Sequence, residues 1–70
     1  MTRITLHSFK DELPEYEKEV LLYWDASRHF EDGCIYEDEQ DGDWYHLLFD
    51  GECMLSDPTH WAELPEFKKV

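Results

Sequence analysis

The residues best suited to bind a ligand form one acidic segment, Glu37-Asp38-Glu39-Gln40-Asp41-Gly42-Asp43. Its acids at positions one, three and five and its glycine at position six match the first half of a calcium-binding EF-hand loop. Position twelve of such a loop is a bidentate glutamate, whereas this chain has Leu48 there, and residues 44–49 resemble a strand rather than an exiting helix. A solvated acidic turn is therefore favoured over a calcium site.

A second group has the residue types of a zinc site. Zinc in proteins is held by cysteine and histidine, commonly in closely spaced pairs. The candidate ligands in this chain lack such pairs, so no metal site is expected. If a zinc site did form, its ligands would be Cys34, His46, Cys53 and His60. Two cysteines do not form a disulfide framework, and both are expected to be reduced thiols that serve as small core residues.

The acidic segment has a second possible use. If the chain is extended there, Glu37, Glu39, Asp41 and Asp43 share one face at a spacing of about 6.6 Å. That spacing is comparable to the distance between successive phosphates of a nucleic-acid strand, so the carboxylates could compete for lysine and arginine side chains that bind phosphates. Gly42 and the intervening Asp38 argue against a long straight strand.

The charge of the whole chain points the same way. Eighteen acids oppose six Lys and Arg, which gives a net charge of −12. Between His29 and Glu66 there are acids but no Lys or Arg. Such a field repels nucleic acid and anionic membranes and attracts basic protein surfaces. The residues predicted to contact a basic partner are Glu31, Asp32, Glu37, Asp38, Glu39, Asp41, Asp43, Asp50 and Glu52.

An enzyme is not expected. The serines lack the Gly-x-Ser-x-Gly context of a nucleophile, and the chain contains no glycine-rich phosphate loop. A general acid or base needs a water-poor pocket that shifts its pKa, and 70 residues leave little room for one.

The elements that must position these residues are mostly strands. The alternation of Arg3–His7 and the apolar run Glu19–Asp25 predict an outer and a central strand. Residues 34–37 and 44–49 predict two more, and residues 26–33 predict a connection with a turn at Gly33. Asp50-Gly51 predicts a hairpin leading into a short strand at 52–55.

Two segments are ambiguous. Pro14 suits the first turn of a helix over residues 15–18, although a tight loop fits equally well. Asp57-Pro58 is a good helix start, whereas residues 59–62 also fit a short edge strand that Pro65 would end. The predicted fold class is α+β, mainly β: one domain over residues 1–70, with an antiparallel sheet of three to five short strands and at most one or two short helices. The aromatic residues should fill its core, with at least two of the three tryptophans buried and the histidines at the surface or edges.

Two stretches carry a resemblance. Asp11-Glu12-Leu13-Pro14 followed by Glu19-Val20-Leu21-Leu22, and then Thr59-His60-Trp61-x-x-Leu64-Pro65-Glu66, resemble a small phage and prophage protein family, domain of unknown function 551. The terminal element is the more specific. The family often has a glycine in the loop after Leu-Pro, where this chain has Glu17 or Lys18. The resemblance implies a phage or mobile-element origin and a small compact fold, and it implies no activity.

These observations predict a phage-encoded acidic protein that mimics nucleic acid and inhibits a host defence complex of the anti-CRISPR or anti-restriction type. Its partner would be a basic nucleic-acid-binding surface, and it would need no cofactor. The alternative is a phage accessory or structural protein that acts through an aromatic patch or as a homodimer, with the acids serving solubility. Because the sequence contains neither a signal peptide nor an apolar membrane span, a cytoplasmic location in the host is expected.

Overall fold

The computed structural model describes residues 4–64, which form one five-stranded antiparallel sheet. The strands are β1 (His7–Ser8), β2 (Val20–Trp24), β3 (His29–Asp38), β4 (Asp43–Leu48) and β5 (His60–Ala62). Their order across the sheet is β1-β5-β2-β3-β4. The predicted antiparallel sheet is therefore confirmed. No helix occurs within residues 4–64, so the α part of the predicted α+β class is not found there. Within residues 4–64, there is also no helix long and apolar enough to cross a membrane.

The strand at the centre of the sheet is the one predicted from the sequence. Val20-Leu21-Leu22-Tyr23-Trp24 forms β2, which pairs with β5 on one side and β3 on the other. The ambiguous segment near the C-terminus is a strand and not a helix, because β5 contains Trp61 in register with Leu22. Its predicted edge position is wrong, since β5 lies between β1 and β2. The predicted stop at Pro65 lies outside the described residues.

The connection predicted for residues 26–33 is wrong over most of its length. The turn occupies residues 25–28, and β3 already begins at His29 and continues through Gly33. A Cβ atom on Gly33 would lie 2.6 Å from the carbonyl oxygen of Leu47 and 2.8 Å from a methyl group of Leu22. Gly33 is therefore needed for close strand packing and not for a turn.

Two other strand predictions change at the sheet edges. The first strand was expected over residues 3–7, but β1 covers only His7–Ser8; residue 3 lies outside the described range. The turn at Asp50-Gly51 is present, with Gly51 at φ 88°. Its expected partner strand over 52–55 does not form, and the chain instead makes a long loop that reaches β5. Residues 15–18 likewise form a loop rather than a helical turn.

The two faces of this sheet differ in whether loops lie over them. On the covered face, Val20, Leu22, Trp24, Ile35 and Trp61 are buried. Two loops lie over it, the first covering loop (residues 9–19) and the second covering loop (residues 49–59), each with a buried proline. On the opposite or open face, where strand alternation also places the buried Ala62, the larger side chains are half-buried or exposed: Leu21, Tyr23, Phe30, Cys34, Tyr36, Tyr45 and Leu47.

Hydrogen bonds from the two buried tryptophans hold the covering loops. The indole N–H of Trp61 donates to the carbonyl oxygen of Glu12 at 3.1 Å, and that of Trp24 donates to the carbonyl oxygen of Ser56 at 2.8 Å. The prediction that at least two tryptophans are buried is thus confirmed. Buried indoles with satisfied N–H groups combine apolar burial with a fixed loop position.

Candidate functional site

The hairpin of β3 and β4 extends beyond the rest of the sheet. β2 pairs only with residues 29–33 of β3, whereas residues 34–38 pair with β4 alone. On its β2 side this outer part receives a backbone hydrogen bond from the N–H of Glu17 to the carbonyl oxygen of Ile35, at 2.8 Å. The end of the hairpin therefore projects as a two-stranded ribbon.

A tight turn closes this ribbon. Gly42 adopts φ 71°, a conformation that glycine takes without steric cost, and its N–H donates to the carbonyl oxygen of Asp38 at 2.8 Å. The Asp38 carboxylate accepts from the N–H of Gln40 at 3.0 Å, and the Asp43 carboxylate accepts from the N–H of Trp44 at 2.8 Å. Aspartates bonded in this way to nearby backbone N–H groups stabilise turns.

Five of the nine acids predicted to contact a partner gather around this turn; we call them the hairpin acids. They are Glu37, Asp38, Glu39, Asp41 and Asp43. The segment is not an extended strand, so the array at phosphate-like spacing does not form. Glu37 is opposite Trp44, and Asp43 is opposite Asp38. The carboxylates thus surround a turn instead of lining one face.

Two of the hairpin acids also oppose each other across the ribbon. Asp38 and Asp43 are direct cross-strand partners, and like charges in that position destabilise a sheet. No Lys or Arg occurs along the chain between His29 and Leu64, and among residues 4–64 no ion pair includes a hairpin acid. Their concentration at a projecting turn is consistent with a role in binding.

The other four predicted acids lie near the opposite end of β4. The Glu31 carboxylate is on the covered side of β3, 2.9 Å from the imidazole of His29, whereas Asp32 is exposed on the open face. Asp50 and Glu52 are exposed in the turn after β4, where the Asp50 carboxylate accepts from the N–H of Glu52 at 3.0 Å. The nine acids therefore form two groups and not one continuous surface.

The open face carries an aromatic surface that the sequence analysis assigned to the core. Tyr36 and Tyr45 stack with ring centroids 5.6 Å apart, and Tyr23 and Phe30 are 4.4 Å apart. Phe30 and Tyr45 remain nearly half exposed. These residues alternate in sequence with the buried residues of the same strands. That alternation is the sequence signal that could have placed them on the face opposite the core. It could not show which face lacks a cover.

The four zinc candidates are not brought together. Cys34 lies on the open face, His46 is on the covered face, and Cys53 is exposed in the second covering loop. The imidazole of His60 is hydrogen-bonded to the hydroxyl group of its neighbour Thr59 at 2.9 Å. Both cysteines are free thiols. In residues 4–64 no cluster of three or more His, Cys, Asp or Glu side chains is placed to hold a metal ion.

His46 departs from its predicted surface position because it is buried against Trp24. Its Nε2 atom accepts a hydrogen bond from the backbone N–H of Met54 at 3.0 Å, and its Nδ1 atom is 3.6 Å from the Asp57 carboxylate. Burial lowers the pKa of His46 from its ordinary 6.5, and Asp57 partly opposes this shift. Neutral His46 therefore acts as an anchor for the second covering loop.

Comparison with known proteins gives one match. Residues 8–67 match a protein family described as "Protein of unknown function (DUF551)". Neither the curated proteins nor the solved structures contain a significant match. The match covers most of the 70 residues, and the chain therefore belongs to the DUF551 family.

Proposed function

We propose that this DUF551 member is a phage-encoded acidic binding protein that occupies the basic nucleic-acid-binding surface of a host defence complex, of the anti-CRISPR or anti-restriction type. It acts in the host cytoplasm and itself binds neither nucleic acid nor membranes. The observation that carries this proposal is the group of hairpin acids, five carboxylates around one projecting turn in a region of the chain without Lys or Arg.

The negative charge of the turn requires a partner surface rich in lysine and arginine. Lysine and arginine side chains that normally contact phosphates would contact these carboxylates instead. The negative field accelerates encounter with a basic surface, and screening by salt weakens that attraction. The cross-strand pair of Asp38 and Asp43 supports this reading, because its mutual repulsion is relieved when cations bind between the two carboxylates.

The test neutralises the turn without altering its backbone. The hairpin-neutral variant carries Glu37→Gln, Glu39→Gln, Asp41→Asn and Asp43→Asn. A matched control with the same change in net charge carries Asp11→Asn, Glu12→Gln, Glu15→Gln and Asp25→Asn, all exposed and outside the base-free region. Each immobilised protein captures partners from host lysate, and bound proteins are eluted with duplex DNA or with a salt gradient and identified by mass spectrometry.

We expect DNA to elute a basic nucleic-acid-binding complex from the original protein, and we expect the hairpin-neutral variant to bind that complex at least about tenfold more weakly. The control variant should lose less than about threefold, because it changes only the long-range field. Equal binding by the hairpin-neutral variant, or a partner that DNA does not displace, would refute the proposal.

The open face favours a second candidate, an accessory protein that acts through an aromatic patch or as a homodimer. The supporting observation is the stacked pair Tyr36 and Tyr45 on the open face, where the ring of Tyr45 stays nearly half exposed. In that case the hairpin-neutral variant would behave like the original protein, and sedimentation would show either a dimer or a complex that Tyr45→Ser disrupts.

A further inference from the structure

A pocket of about 340 Å³ lies beside β3, apart from the hairpin acids. Cys34 and Leu47 are cross-strand partners and line it from the open face. Tyr36 lines it from β3, and Phe49 lines it from the chain that leaves β4. Phe49 is 77% exposed, and its backbone N–H is held by the carbonyl oxygen of Asp32 at 3.0 Å. The pocket therefore has apolar and aromatic walls.

Two exposed carboxylates, Glu17 and Glu19, complete the lining from the first covering loop. Lys18 lies between them in sequence, but its ammonium group is 2.9 Å from the Glu63 carboxylate. Among residues 4–64, no Lys or Arg lines the pocket. The pKa of Tyr36 is raised, first by its neighbour Cys34, then by burial, and to a smaller extent by the charge of Glu17. The pocket is therefore negative as well as apolar.

The backbone of Glu17 is held in an uncommon conformation at the pocket. Glu17 adopts φ 63°, a left-handed conformation that a residue with a Cβ atom takes at a cost of about 1 kcal/mol. The hydrogen bond from its N–H to Ile35 holds it there. A carboxylate is thus kept at the pocket in a position where glycine would be less strained.

We propose that this pocket binds an arginine side chain of a protein partner. The methylene stem would lie on Leu47 and Cys34, and the guanidinium would reach the carboxylates of Glu17 and Glu19. Arginine fits better than lysine because its planar group stacks on aromatic rings and binds carboxylates in a bidentate manner. This inference rests on the proposed function, which requires a basic partner, and it names a second contact point beyond the hairpin acids.

The test uses a defined probe. The ¹⁵N-labelled protein is titrated with an acetylated, amidated Gly-Gly-Arg-Gly peptide and followed by two-dimensional NMR. We expect the largest shift changes at Cys34, Tyr36, Leu47 and Gly51. Replacing the arginine with citrulline, which has a similar shape but no charge, should weaken binding about tenfold, and a lysine peptide should bind about threefold more weakly.

Matched variants locate the contact. The pocket variant, Glu17→Gly with Glu19→Gln, removes both carboxylates and also relieves the strain at residue 17. We expect it to keep its fold and bind the peptide about fivefold more weakly. The control, Asp11→Asn with Glu15→Gln, has the same change in net charge and should bind like the original protein.

Several outcomes would overturn the inference. These are shift changes centred on residues 37–43, equal binding by the pocket variant and its control, or equal affinity for lysine. Shifts at the pocket residues that grow with protein concentration in the absence of peptide would assign the pocket to a second copy of the chain. The two proposals fail separately, because the hairpin-neutral variant leaves the pocket unchanged and peptide binding does not require a defence complex.

Discussion

Leu21 and Leu22 are neighbours on β2 but face opposite sides of the sheet. Leu22 is fully buried beneath the covering loops, whereas Leu21 is half-buried on the open face. The same contrast separates Ile35 from Tyr36 on β3. Both faces are apolar near the centre of the sheet. They differ in how far the covering loops bury those apolar side chains. Among residues 4–64, most of the buried apolar side chains lie on the covered face, whereas several aromatic side chains of the open face stay partly exposed.

The largest expected effect tests this contrast within one dipeptide. Leu22→Ala should lower the free energy of unfolding by about 3 kcal/mol, because it leaves a cavity in a closed core. Leu21→Ala should cost about 1 kcal/mol or less, since its side chain is already partly in water. Urea denaturation measures both variants. Equal losses would mean that the open face is packed as tightly as the covered one.

The next effect concerns the attachment of the first covering loop. Trp61→Phe removes the hydrogen bond to the carbonyl oxygen of Glu12 and should cost about 2 kcal/mol. Amide hydrogen exchange should accelerate in residues 9–19 before the strands are affected. Trp44→Phe is the control for loss of an indole, because Trp44 is only half-buried and touches the same loop by stacking on Phe9, which a phenylalanine ring retains. If the loop stayed protected in Trp61→Phe, the indole would not be its anchor.

A smaller effect is expected from pH at the second covering loop. Because the folded-state pKa of His46 lies below 6.5, the unfolded chain binds the extra proton more readily. Stability from neutral His46 is therefore complete above pH 6.5 and is lost as the pH falls below that value. His46→Gln, which can still accept from the Met54 N–H, should have a flatter stability profile between about pH 7.5 and 5.

The readout is the denaturation midpoint at several pH values. His60→Gln on the open face is the control for loss of an imidazole. A profile of His46→Gln that parallels the original protein would show that the buried histidine does not couple the loop to pH.

The smallest effect belongs to the hairpin acids. Asp43→Asn removes repulsion with Asp38 and retains an oxygen for the Trp44 N–H, so it should raise stability by a few tenths of a kcal/mol. Asp41→Asn, in the turn and without a cross-strand acid, should change stability less. The difference should shrink at high salt, which screens exposed charges. A loss of stability in Asp43→Asn would contradict the assignment of these acids to binding.

Much of the sheet was predictable because its signals are local. The apolar run of β2 and the alternation around Trp44 gave the positions of β2 and β4 to within about one residue. Gly33 was misread as a turn residue, because glycine serves both turns and close packing and only the approach of Leu47 distinguishes them. The prediction of a strand after Asp50-Gly51 was also wrong. The Asp-Gly pair indicates a turn, but it does not specify the conformation of the residues that follow the turn.

The candidate surface was predictable in composition but not in arrangement. The acids and the absence of bases are visible in the sequence, yet the bend at residues 39–42 converts an expected line of carboxylates into a cluster. The pocket beside β3 had no sequence signal, because Glu17 and Phe49 are brought together only by strand pairing.

The sequence by itself determined the charge, the family and the strand-forming segments, since each depends on residue type or on short-range alternation. Only the tertiary structure decided which face of the sheet is covered, because the covering loops are held by long-range hydrogen bonds that the indoles of Trp24 and Trp61 donate and by one that His46 accepts from the Met54 N–H. It also decided that the acids surround a projecting turn and that a separate pocket lies beside β3. These features depend on contacts between residues distant in the chain, which no local pattern records.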